Sequence, residues 1–187
     1  IFYNLEYYYH NLIEIFFIWE GGMSFHGGLI GIIVSTYLYS KKHKINKYVF
    51  LDLISVSAPI GLFFGRIANF INAELIGKTT NGNWGVIYPQ IDSVPRHPSQ
   101  LYEGFLEGIV LFIILNLIYQ KKNIKIGTVS FAFLFFYGIF RFICEFFREP
   151  DPQLGYLVGS FSMGMLLSLL MIFLAIIFFY KIDAAKT

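Results

Sequence analysis

Apolar residues run along this chain in five long blocks, about 23–40, 49–72, 99–119, 126–147 and 157–180, separated by short stretches where lysine, proline and glycine collect. A helix needs ~20 mostly apolar residues to cross a bilayer core. The pattern therefore predicts five spans and an all-α, polytopic membrane bundle, read as one domain over residues 1–187. The block from Leu157 to Tyr180 carries no charge, whereas the second and fourth blocks each hold one arginine near the C-terminal end, Arg66 and Arg141.

Charge sorts the connecting segments. Nine of the ten lysines fall in the Lys41–Lys47 loop, the Lys121–Lys125 loop and the tail with Lys181 and Lys186. By the positive-inside rule these are cytoplasmic, which leaves residues 1–22, 73–98 and 148–156 outside. Residues 1–22 hold three glutamates with no lysine or arginine, and their tyrosines and Trp19 suit an interfacial segment. The 73–98 stretch, with Asn81, Gly82, Asn83, Gly85 and three prolines, has turn chemistry and is expected to form a small periplasmic head with a hairpin around Trp84 to Tyr88. The chain opens at Ile1 with no leader pattern ahead of its body, so it is expected to be the C-terminal part of a longer protein.

Composition narrows the class. The chain is 56% hydrophobic and only 14% charged, against ~25% charged in soluble domains. A net charge of +2 with clustered lysines gives no nucleic-acid footprint. Cys144 is the single cysteine, so no disulfide framework can be built within the chain, and its apolar surroundings favour packing over nucleophilic work. No paired broken helices mark a transporter. Glycine pairs Gly27/Gly31, Gly61/Gly65 and Gly104/Gly108 are expected to admit close helix packing.

Ionisable residues inside spans are costly, so their positions carry the functional signal. They are His26, Asp52, Arg66, Glu103, Glu107, Arg141 and Glu145. With alternating span directions and ~1.5 Å of rise per residue, His26, Arg66, Asn69, Glu103, Arg141 and Glu145 fall near the outer boundary. Asp52 lies at the inner end, and Glu107 lies about one turn deeper than Glu103. Two arginines and a histidine at headgroup depth suit an anionic phosphodiester, because guanidinium donates paired, charge-assisted hydrogen bonds to phosphate. Snorkelling is the alternative for either arginine alone. Arg141 and Glu145 are one turn apart, which serves a structural ion pair as well as a functional one. His26 has the proton-exchange range of a general base and equally the features of a structural histidine; His10, His43 and His97 give it no metal-ligand spacing. A lipid-binding or lipid-translocating protein without covalent chemistry would also want such arginines, although clustering at one leaflet leaves no path across.

Four blocks, WEGGMSFHGGLIG (Trp19 to Gly31), APIGLFFGRIANFINAELIGK (Ala58 to Lys78), RHPSQLYEG (Arg96 to Gly104) and FRFICEFFREPD (Phe140 to Asp151), resemble the prolipoprotein diacylglyceryl transferase family in content and order. The resemblance implies a seven-span family fold, of which this chain would lack the first two spans. It also implies an enzyme of the bacterial inner membrane that moves the sn-1,2-diacylglyceryl group from phosphatidylglycerol to the lipobox cysteine of prolipoproteins. Glycerol phosphate is released, and no cofactor or metal is required. Carried over by motif, Arg66 and Arg141 would be the essential arginines, with His26 the third catalytic candidate. Asn69, Glu74, Gly77, Glu103, Tyr137 and Glu145 would line the substrate site, and Asp52 and His97 match further polar positions of the family.

Overall fold

A computed structural model describes residues 9–10, 25–150 and 155–184. The chain divides into two compact units, Ile1–Lys47 and Tyr48–Thr187. In the first, helix α1 runs from Phe25 to His43. Lys41, Lys42 and His43 in its last turn face the negative end of the helix dipole. Lys44, at φ 55, turns the backbone out of the helix, and Ile45 N donates to the Ser40 carbonyl at 3.1 Å.

The second unit holds α2 (Lys47–Ile71), α3 (Ser99–Tyr119), α4 (Thr128–Glu145), a short antiparallel hairpin of β1 (Tyr156–Val158) with β2 (Phe161–Ser162), and α5 (Met163–Ala184). Among the described residues four helices are long and apolar enough to cross a membrane: Lys47–Ile71, Ser99–Tyr119, Thr128–Glu145 and Met163–Tyr180. The chain is thus a polytopic helical membrane protein. The described part of the first expected span forms α1, whose three glycines, two serines and terminal lysines leave it outside those four. The fifth span starts at Met163 rather than Leu157. The apolar run from Tyr156 to Ser162 forms the hairpin instead, because Gly159, at φ 57, supplies the reversal.

Burial is inverted relative to a soluble bundle. Leu53, Ile60 and Phe64 on α2, Ile113 and Leu117 on α3, and Leu170 and Phe173 on α5 face outward, as lipid-facing side chains do. A small apolar core of Leu111, Leu115, Val129 and Ala132 is completed by Val56, Ile118, Phe136, Phe140 and Phe179. The buried polar residues collect at the two ends of the helices.

At one end Asp52 of α2, only 7% exposed, accepts the backbone N–H of Gly127 at 2.7 Å and of Ser130 at 2.8 Å, plus the Ser130 hydroxyl at 2.5 Å. It thereby caps α4 from a neighbouring helix. A carboxylate there satisfies orphan N–H groups and faces the positive end of the dipole. These bonds tie the start of α4 to α2, beside the ring contact of Tyr48 with Phe131.

Close crossings depend on missing side chains. A Cβ on Gly108 would lie 2.7 Å from Phe63 Cβ, and one on Gly104 would lie 3.4 Å from Arg66 Cβ, so this glycine pair seats α3 on α2 as expected. Gly138 does the same for α4 against α5, its virtual Cβ lying 3.0 Å from the Ser168 carbonyl. Gly61 and Gly65 depart from the expectation, because a Cβ on either would meet nothing within 4 Å among the described residues. The same is true of Gly31, whereas Gly27 is not described in side-chain terms.

Candidate active site

The second and third spans are tied by an irregular backbone. Residues Gly104–Val110 of α3 form a π-helical segment between two α-helical pieces, a widening that is rare and frequent at functional sites. It lies over the two carboxylates of α3, Glu103 and Glu107, both fully buried.

Glu103 is the centre of a charge network. Its Oε2 lies 2.9 Å from Arg66 Nε, and its Oε1 lies 2.9 Å from Arg141 Nη1 and 3.5 Å from Arg148 Nη1. Glu107 places Oε2 at 3.1 Å from Arg66 Nη2 and Oε1 at 3.7 Å from Arg141 Nη1. Arg141 Nη2 also donates to Glu145 Oε1, one turn along α4. Three guanidinium groups and three carboxylates therefore share one buried site with balanced formal charge.

Balance is what makes burial tolerable, since removing one partner from a buried pair costs about 3–5 kcal/mol. The geometry nonetheless leaves capacity unused. Both Glu103 oxygens, Glu107 Oε1 and Arg141 Nη1 are buried at ion-pair distance without a well-directed hydrogen bond. Arg66 spends Nε and Nη2 on glutamates, while its Nη1 has no carboxylate partner among the described residues. These guanidinium groups are rigidly forked, with donors left to meet an anion.

Glu145 is held from a second side. Ser162 donates from Oγ to Glu145 Oε2 at 2.6 Å and accepts the Met165 N–H at 3.2 Å, so it caps α5 while gripping the carboxylate. Gly164 makes the room, because a Cβ there would stand 2.5 Å from Glu145 Oε1. The hairpin before α5 thus brings the last span to the network.

Asn69, one turn beyond Arg66 on α2, donates from Nδ2 to Glu74 Oε2 at 2.8 Å. Glu74 sits in a turn between Ala73 (φ 54) and Leu75 (φ 53), left-handed conformations that cost ~1–2 kcal/mol for a residue with a Cβ. Gly77 lies where backbones converge: a Cβ would clash with the His97 carbonyl and come within 2.9 Å of the Phe147 carbonyl. Its place in the site is to admit that approach. Tyr137 stacks on Phe133 with ring centres 5.5 Å apart and lies within electrostatic reach of Glu107, Arg141 and Arg66.

The 73–98 segment forms isolated bridges, Thr79 with Arg96 and Val86 with Arg96, in place of the regular hairpin expected around Trp84 to Tyr88. Arg96 knits it together, donating to Asp92 Oδ2 at 2.6 Å and to the Gly77 carbonyl at 3.2 Å, with Glu149 at 3.3 Å. The hydrogen bonds from Arg96 hold the Asp92 carboxyl below its ordinary range and raise the guanidinium above its own. His97 Nδ1 lies 3.3 Å from the Tyr102 hydroxyl. Both rings line an apolar groove of about 490 Å³ that Phe105, Ile143, Cys144 and Phe147 complete. Cys144 is buried among these side chains, as a packing role requires.

The structure brings together Arg66, Glu103, Arg141 and Glu145 of the expected set, with Asn69 and Glu74 paired beside them. His26 lies in the first turn of α1, in the other unit, and its side chain is outside the described residues. Sequence reasoning left Glu107, Arg148 and Ser162 out of the site. Glu107 looked one turn too deep, and Ser162 was hidden in an apolar run. Arg148 falls in the 148–156 connection, beyond the fourth apolar block. Among the described residues no group of three or more His, Cys, Asp or Glu side chains could hold a metal ion.

The family model described as Prolipoprotein diacylglyceryl transferase matches residues 1–181. The chain is 51% identical over 176 residues to the Phosphatidylglycerol--prolipoprotein diacylglyceryl transferase of Geobacter sulfurreducens, covering 94% of this chain and 67% of the relative. It is 51% identical over 183 residues to the protein of that name from Rickettsia bellii, covering 97% of this chain and 70% of the relative. With that from Rickettsia typhi it shares 52% identity over 174 residues, 92% of this chain and 67% of the relative.

Proposed function

The chain belongs to the prolipoprotein diacylglyceryl transferase family, and on that premise we propose that it transfers the sn-1,2-diacylglyceryl group from phosphatidylglycerol to a lipobox cysteine, the first step of lipoprotein maturation. The observation that carries the reading is the convergence of Arg66, Arg141 and Arg148 on Glu103, Glu107 and Glu145 at one end of four membrane-capable helices.

The chemistry requires a thiolate sulfur to attack the sn-3 carbon of the diacylated glycerol, next to the phosphate. The carbon–oxygen bond breaks as the carbon–sulfur bond forms, and glycerol phosphate departs with added negative charge. The thiol proton must go to a base. Arg66 and Arg141 stabilise the leaving phosphate, in a site where burial strengthens such interactions. Their glutamates fix the guanidinium planes before the lipid arrives, so no side-chain reorganisation is spent at the reaction step. His26 is the proposed base, and Asn69, Glu74, Gly77, Tyr137 and Glu145 complete the headgroup site. Glu103 acts from beneath the arginines, as their anchor.

Positive-inside sorting of the lysines supports an outer-leaflet site in the bacterial inner membrane, with residues 73–98 as a periplasmic head. A phospholipid then enters sideways while the membrane-inserted signal segment of the prolipoprotein presents its cysteine. The test is transfer of labelled diacylglycerol from phosphatidylglycerol to a lipobox peptide, in membranes carrying the protein or its Arg66→Ala and Arg141→Ala variants. Transfer that both variants lose is the expected result. Binding of phosphatidylglycerol without transfer to the cysteine would replace the enzyme by a lipid-binding protein.

A further inference from the structure

The turn that carries Glu74 is strained on both sides, and the groups that hold it come partly from the turn itself and partly from α3. Ala73 and Leu75 adopt φ values of 54 and 53, a region that residues with a Cβ rarely occupy and that persists only where surroundings over-determine it. Part of the restraint is local: Glu74 N donates to the Asn69 carbonyl at 2.8 Å and Ala73 N to the Phe70 carbonyl at 3.2 Å. The rest comes from the first turn of α3. Gln100 donates from Nε2 to the Glu74 carbonyl at 2.7 Å, and Ser99 donates from Oγ to the Leu75 carbonyl at 3.3 Å.

Gln100 is itself locked. It is fully buried, and its Oε1 accepts the Tyr88 hydroxyl at 3.1 Å. Tyr88 is 4% exposed and sets its ring edge-on to Phe70, centre to centre 6.0 Å. A buried amide with donor and acceptor both engaged is an expensive way to fill space, since an apolar side chain would need no partners. What the chain gains is the aim of Glu74. Its carboxylate meets Asn69 one turn beyond Arg66 on α2, leaving Glu74 Oε1 and Asn69 Oδ1 with no partner among the described residues.

We propose that Gln100, braced by Tyr88, is a positioning residue for lipid headgroup recognition: it fixes the strained Ala73–Leu75 turn so that Glu74 and Asn69 offer hydroxyl-accepting oxygens one turn beyond Arg66 on α2. This rests on the transferase reading for the identity of the lipid. The recognised chemistry is a phosphodiester bearing a hydroxylated headgroup. Arg66 meets the phosphate, and the Glu74–Asn69 pair meets the hydroxyls, which a phosphodiester capped by a methyl group lacks.

The experiment measures phosphatidylglycerol retained by the purified protein in detergent, against phosphatidylmethanol, alongside transfer to a lipobox peptide. Gln100→Met keeps the volume and removes the donor. It should weaken phosphatidylglycerol binding about fivefold, the weight of one buried hydrogen bond, with phosphatidylmethanol binding unchanged. Tyr88→Phe should move the same ratio in the same direction by less, and serves if Gln100→Met does not fold. In a Glu74→Ala background Gln100→Met should add nothing, because both act on one group. Leu75→Gly should restore part of the loss, since glycine accepts the turn without restraint. Equal loss for both lipids, or a full multiplicative effect on top of Glu74→Ala, overturns the proposal, as does parental protein that retains neither lipid. Selective binding without transfer removes the transferase reading and leaves the Gln100 assignment standing.

Discussion

Arg141 Nη1 lies 2.9 Å from Glu103 Oε1, joining the C-terminal end of α4 to the N-terminal part of α3 through a carboxylate that has no exposed surface. The same carboxylate meets Arg66 and Arg148, so one glutamate from the third helix organises three arginines from three different segments. Guanidinium groups gathered in one buried place must be kept from repelling one another, as the proposed phosphate site requires before the anion arrives. Glu103 and Glu107 supply the opposing charge.

Arg66→Lys should lose most transfer activity although it retains charge. Arg66 uses two different nitrogens to reach Glu103 and Glu107, a fork that an ammonium cannot reproduce. A hundredfold fall, ~3 kcal/mol, is expected from disrupting a buried charge pair. The peptide-transfer assay measures it, and full activity in Arg66→Lys would remove phosphate recognition from this residue.

Glu103→Gln should destabilise more than Glu107→Gln. Glu103 lies within 3.5 Å of three guanidinium groups, whereas Glu107 approaches two, one of them at 3.7 Å. About 3–5 kcal/mol is the scale for leaving a buried charge unpaired. Thermal unfolding in detergent reads the order directly, and the reverse order would show that Glu107 is the anchor.

Asp52→Ala should destabilise the helix pair by about 1–2 kcal/mol, the range for losing an N-cap. The loss should appear as faster hydrogen exchange at Gly127 and Ser130, whose N–H groups Asp52 accepts. Exchange unchanged at those two amides would mean that water replaces the carboxylate.

The two glycine classes should respond oppositely. Gly164→Ala places a Cβ within 2.9 Å of three Glu145 carboxyl atoms, so it should lower both stability and transfer. Gly61→Ala meets nothing within 4 Å and should be neutral or gain up to ~1 kcal/mol of helix propensity. Melting temperatures of the two variants decide the matter.

The loop bearing Trp84 should be stable to acid until the pH passes below the ordinary carboxylate range. The folded pKa of Asp92 is depressed by its hydrogen bonds from Arg96. Its contribution is therefore present above the unfolded pKa of ~3.9 and is lost as pH falls through the lower folded value. In a Trp19→Phe protein, Trp84 fluorescence follows this loss, and Asp92→Asn should remove the acid transition. The same transition in Asp92→Asn would assign it elsewhere.

Several of these relationships were readable along the chain. Apolar block lengths gave the membrane helices, and lysine sorting gave alternating directions. Those directions bring Arg66, Glu103, Arg141 and Glu145 to one end, because charges in spans are too costly to be scattered. The Arg141–Glu145 pair follows from helical spacing alone. Other features depended on context that no local pattern carries. Gly61/Gly65 and Gly104/Gly108 have the same spacing, yet among the described residues only the second pair meets a neighbouring helix. The apolar run from Tyr156 looked helical until Gly159 reversed it into the hairpin that brings Ser162 to Glu145.

What the sequence determined by itself was which residues must find polar partners, since hydrophobic length and the cost of buried charge act residue by residue. What only the tertiary structure decided was who those partners are. Glu107 joins Arg66, Gln100 holds the Glu74 turn, and Asp52 caps α4. Each of those pairings spans distant parts of the chain, so it depends on how the π-helical segment, the close glycine crossings and the strained turn orient whole elements, and spacing along one element cannot report that orientation.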